Sequence, residues 1–202
     1  MALIKLSNNG VKNITSVGSI GTGDLVFISK QTASSSAFIS FTSGIDSTYK
    51  EYIFYFVNIH PQTDAAQFSF QGDTGTNTNY NQTITSTHFR TAHNESDSAT
   101  AFGYNTQDDQ AQGTGFQVLA HDGTVGNAND ENLNGYLHIF NPSSSTFVKH
   151  FIGHTSANHQ TEYQIESFIA GYFNTTTALT RFQFKFSSGN IDAGDILLYG
   201  LN

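Results

Sequence analysis

The hexapeptide Arg181-Phe182-Gln183-Phe184-Lys185-Phe186 alternates three polar side chains with three Phe rings. Side chains on a β-strand repeat with a period of two, so the rings share one face and Arg181, Gln183 and Lys185 share the other, the pattern of a half-buried strand. Upstream, Tyr52-Ile53-Phe54-Tyr55-Phe56-Val57 is apolar at every position, which predicts a central strand covered on both faces.

Working outward from these two, short apolar runs recur at residues 25–29, 37–42, 66–71, 82–90, 116–120, 135–140, 146–153, 167–173 and 195–199, separated by segments rich in Gly, Asn, Asp and Ser. With the central runs extended to 52–59 and 181–186, this spacing predicts many short strands closing a sandwich or barrel. Composition points the same way: Thr, Phe and Tyr favour strands, while the helix formers Glu, Lys, Arg and Met are scarce. Eighteen Phe among 202 residues, with 37% hydrophobic residues in all, suffice to fill a core. No internal repeat or break in composition marks a second unit. The expected fold is therefore all-β, a single antiparallel β-sandwich, jelly-roll-like, over residues 24–202. Residues 1–23 form a polar stretch in which Leu3, Leu6, Val11 and Ile14 recur singly, and they are expected to be an extended N-terminal arm used for attachment.

Eight basic side chains against sixteen acidic ones give a formal charge of −8, the wrong sign for gripping a phosphate backbone, so nucleic acid is not an expected partner. The same sign disfavours anionic lipid, and no apolar run reaches the length of a membrane span, so no membrane insertion is expected. Cysteine is absent, which excludes disulfides and thiolate metal sites. The opening Met-Ala-Leu-Ile-Lys lacks the basic and apolar segments of a secretory signal. Charged residues make up only 12%, and Ser, Thr, Asn, Gln and Gly take their place, giving a polar but weakly charged surface.

Candidate chemistry is sparse. His150 and His154 are four apart, but on a strand that spacing spans about 13 Å, too far for one ion. His88 and His93, with Glu95 or Asp97, could meet near a strand end, and histidines hydrogen-bonded at a loop mouth account for them better. Asp122, Asn127, Asn129, Asp130 and Glu131 form an oxygen-rich loop without the register of an EF-hand, for which a solvated acidic loop is the simpler reading. Asp108 with Asp109, Glu95 with Asp97, and Glu162 with Glu166 are the carboxylate pairs available for hydrolysis, but most of them fall in polar loops with nothing to desolvate them, and no pair stands out. No catalytic residue, metal site or cofactor is expected, and the chain reads as a non-enzyme.

Long polar loops are expected at residues 72–80, 91–112 and 123–134. Within them Tyr80, Tyr104 and Asn105, with Asn127 and Asn129, are the candidate binding residues, because a sugar stacks on a tyrosine ring while amides read its hydroxyls.

Several long strings carry a resemblance. Gln31-Thr-Ala-Ser-Ser-Ser-Ala-Phe-Ile-Ser-Phe-Thr-Ser-Gly-Ile-Asp-Ser-Thr-Tyr-Lys-Glu-Tyr-Ile-Phe54, then Asn58-Ile-His-Pro-Gln-Thr-Asp64, Phe140-Asn-Pro-Ser-Ser-Ser-Thr-Phe-Val-Lys-His150 and Phe186-Ser-Ser-Gly-Asn-Ile-Asp-Ala-Gly194 are similar to a module of structural and tail-fibre-like proteins of marine and cyanobacterial phages. The similarity covers nearly everything after Gln31. It implies a virion component, on the tail, a fibre or the head surface, with no catalytic residues to carry over. The partners it implies are other virion proteins reached through the arm, further copies of the chain in a homo-oligomer, expected to be a trimer, and a host surface glycan. The alternative is a lectin-like module that recognises host polysaccharide.

Overall fold

Phe182, Phe184 and Phe186 all turn inward from one strand, Arg181–Phe186, as their spacing predicts. The computed structural model describes residues 25–76, 78–121 and 125–201, so the expected arm at 1–23 lies outside the described residues. In chain order the strands are β1 (Val26–Thr32), β2 (Ile39–Phe41), β3 (Glu51–Pro61), β4 (Phe68–Asp73), β5 (Ile84–Asn94), β6 (Thr100–Tyr104) and β7 (Ala111–Gly113). They continue with β8 (Gln117–Val118), β9 (Leu133–Phe140), β10 (Lys149–His159), β11 (Tyr163–Phe173), β12 (Arg181–Phe186) and β13 (Ile191–Leu201). The described residues contain no helix.

Two antiparallel sheets result, so the all-β sandwich holds. The larger runs β1-β13-β3-β9-β10-β11-β5-β6, with β7 sharing the β5 edge, and the smaller runs β2-β12-β4-β8. Between them lies a Phe-rich core. Phe184 is its hub, with ring centroids 5.0 Å from Phe54, 5.4 Å from Phe56, 6.1 Å from Phe68 and 6.3 Å from Phe70. Edge-to-face and offset pairs at these separations add to the stabilisation from burying the rings. A β-bulge lets β13 follow β3 past its middle: Gly194 sits there at φ +116, and a Cβ would stand 2.5 Å from the Asn58 carbonyl oxygen.

Two expectations need correction. The second sheet covers β3 on one face only. Tyr52, Phe54 and Phe56 enter the core, while on the other face Ile53 is buried, Tyr55 half-buried and Val57 exposed, and no described segment forms a second layer over that side of the larger sheet. The strand buried at every position is instead β4. Its outward polar groups anchor loops that fold over it: Gln71 Nε2 donates to the carbonyls of Gln82 and Gly115, and Asp73 accepts from the Gly75 and Tyr80 amides. A polar strand can thus be fully buried when each group finds a partner. Second, residues 91–112 are not one long loop, since they contain the end of β5, all of β6 and the start of β7.

Candidate functional site

The outer face of the larger sheet carries a row of aromatic rings, one from each strand. It runs Phe27 (β1), Tyr199 (β13), Tyr55 (β3), Tyr136 (β9), His154 (β10), Phe168 (β11), Phe89 (β5) and Phe102 (β6). Consecutive centroids are 5.5, 5.6, 6.4, 5.7, 4.4, 4.9 and 6.0 Å apart. Strand register creates the row: Tyr55 pairs with Tyr136, His154 with both Tyr136 and Phe168, and Phe168 with Phe89, so each ring stands beside the next. At its two ends Phe27 is 55% and Phe102 76% exposed. Beside the row, Thr85, Thr87, Ala170 and Gly171 floor a shallow groove of about 490 Å³ between Ile152 and Tyr172.

The binding residues expected from sequence fall in separate places. Tyr104 ends β6 opposite Phe89, on the same face as the row, 53% exposed, with its hydroxyl donating to Asp109. That hydrogen bond pushes the phenol pKa up. Tyr80 is buried, its chain drawn inward by the Asp73 carboxylate, so its ring is not a surface platform. Asn105 is half-buried beside β5, its main-chain N–H donating to the His88 carbonyl. Asn127 and Asn129 are exposed elsewhere: Asn127 donates to the Gln62 carbonyl, and Asn129 lines a cleft with His60 and Asp192. The tyrosines and amides therefore do not converge on one site.

A second constellation was not legible in the sequence. The small sheet packs its Phe70 and Phe182 rings against Phe151 and Phe173 at one end of β10 and β11, and beyond them the chain from Asn105 to His121, which includes β8, closes the interior with a polar network. Ser86 Oγ donates to Gln117, Gln117 Nε2 donates to the Asp108 carbonyl, and the His121 amide donates to Ser167 Oγ. At its centre His88 Nδ1 lies 3.1 Å and His121 Nδ1 2.7 Å from the same oxygen, Asp108 Oδ2. The His88 and Asp108 side chains are fully buried and His121 is 12% exposed. Burial alone would push the Asp108 carboxyl up. Hydrogen bonds from His121 and His88, with positive charge on the same rings, outweigh burial and hold it at about 2. His93, whose approach to His88 the sequence only allowed, is exposed on the opposite face of β5 and pairs with Asp97. His150 and His154 share one face of β10 and make separate ring contacts, with Tyr172 and with Phe168.

The class defined by fold and surface is a two-sheet, all-β sandwich with an aromatic outer face. No known protein family, curated protein or solved structure matches the chain.

Proposed function

We propose that this chain is a non-enzymatic structural module displayed on the outside of a bacteriophage particle, a fibre or tail component or a head decoration, and that it works by contact. The observation that carries this reading is the aromatic row. Eight strands each present a ring on a face that no other described segment covers, and contiguous apolar surface of this kind is characteristic of sites that meet a partner. Tyr, Phe and His supply such contact area at low entropic cost.

Strand order adds support, because it fits a jelly roll. The first strand pairs with the last and the second with the one before last. β1, β3, β9 and β13 lie in one sheet and β2, β4, β8 and β12 in the other, while β5 to β7 and β10 with β11 extend the larger sheet. Jelly rolls recur in viral capsids and in lectins, so this order suits a virion module without assigning one. The resemblance to phage structural modules carries the remaining weight. On this reading, residues 1–23 attach the module to other virion proteins, and the row packs against further copies in a homotrimer, protecting strand edges in a chain without cysteine. Sedimentation equilibrium tests it: a concentration-stable trimer is expected, and a monomer at micromolar concentration contradicts it.

The groove beside Tyr172 favours a second reading, a lectin-like module for host polysaccharide. Small side chains floor it and Tyr172 stands at its wall, an arrangement that accepts a neutral sugar ring.

A further inference from the structure

We infer that His88, Asp108 and His121 form a binding site for one divalent transition-metal ion of the zinc type, tying β5 to the segments around Asp108 and His121. The site is independent of the phage and lectin readings.

Three donors from separate parts of the chain converge, with one ligand atom from each lying within 4.8 Å of the others. Zinc bonds of about 2.0–2.2 Å in a tetrahedral arrangement set neighbouring ligand atoms about 3.3 Å apart. The Nδ1 atoms of His88 and His121 stand 3.1 Å and 2.7 Å from Asp108 Oδ2, so each of these two pairs needs to part by less than about 1 Å to admit an ion. Two imidazoles and a carboxylate suit zinc, cobalt or nickel, whereas calcium and magnesium take oxygen ligands.

The surroundings are those of a built site. His88 makes its polar side-chain contact to Asp108 alone, through Nδ1, so the ligand nitrogen is already turned toward this centre. Gln117 fixes the Asp108 main chain, and the Asn105 amide fixes that of His88, the outer contacts that keep ligands oriented. His121 also lines a surface cleft of about 270 Å³ with His159, Arg90 and Tyr163. Through it an ion reaches the centre, and a water there completes the coordination. In a chain without disulfides the ion would act as the cross-link, binding its ligands only in the folded state.

The test uses the full-length, untagged protein freed of metal by chelator and titrated with Co²⁺ or Zn²⁺. One equivalent is expected to bind, to raise the thermal midpoint, and with Co²⁺ to shift the NMR signals of two imidazole rings paramagnetically. His121→Gln, at the most exposed of the three ligands, is expected to weaken binding at least about tenfold, while His93→Ala leaves it unchanged. Absence of stoichiometric binding, or binding that shifts fewer than two imidazoles in the unaltered protein, overturns the proposal. So does a folded His121→Gln variant of undiminished affinity. The imidazole signals decide the matter even where that variant fails to fold.

Discussion

His154 of β10 and Phe168 of β11 lie face to face on the outside of the larger sheet, centroids 4.4 Å apart and planes 12° from parallel. They are a directly paired cross-strand couple, and Phe89 stacks on the far side of Phe168 at 4.9 Å and 10°. These two stacked couples stand in the middle of a row whose other five neighbouring pairs meet edge to face, as most rings of the interior do. What separates Phe in the row from Phe in the core is exposure, and it leads to different outcomes on substitution.

Inside, Phe184→Ala removes the ring that touches Phe54, Phe56, Phe68 and Phe70. Loss of buried area together with the cavity left behind is expected to cost about 3–5 kcal/mol. Urea unfolding with an unchanged m-value is the check.

Outside, Phe102→Ser changes a ring that is 76% exposed. Folding stability should move by no more than about 0.5 kcal/mol, while the association constant of the oligomer falls. Sedimentation of wild type and variant side by side reads both, and unchanged association would remove Phe102 from the contact.

Two strand glycines are expected to differ. A Cβ at Gly171 meets the Phe151 ring at 2.5 Å and the Thr85 carbonyl at 2.6 Å, so Gly171→Ala should cost about 1–3 kcal/mol. At Gly103 a Cβ meets nothing within 4 Å, and Gly103→Ala should be neutral or stabilising by up to about 1 kcal/mol. Thermal midpoints suffice to compare them.

Acid stability should depend on Asp108. Its carboxyl is held at about 2, below the ordinary 3.8, so its contribution is fully present above pH 3.8 and is lost as pH falls through 2. In metal-free protein this is worth about 2–3 kcal/mol. Asp108→Asn should be less stable at neutral pH by about that amount and should lose this part of the acid slope. An unaltered slope in the variant would place the titration elsewhere.

For the lectin reading, Tyr172→Ala beside the groove and Tyr104→Ala at the end of the row should each weaken binding to any glycan retained on an array. Retention of no glycan by the wild type removes that reading.

Sequence and structure agree where side-chain alternation is strong. Arg181–Phe186 has the predicted bounds, and each predicted apolar run contains a strand. β6 escaped because Thr100-Ala-Phe-Gly-Tyr104 is an edge strand, exposed along nearly its whole length, and carries no inward apolar set. β3 misled because its outward residues are apolar for the sake of the surface row rather than for a second layer. His121 escaped for another reason. It meets His88 and Asp108 only through long-range folding, from segments whose spacing follows no ligand motif.

Reconstruction of a purified phage particle is the sharpest test of the proposed contact role of the aromatic face. This chain is expected on the exterior, with the His154, Phe168 and Phe89 rings packed against another protein subunit. Absence of the chain from the particle, or presence with those three rings facing solvent, would contradict it.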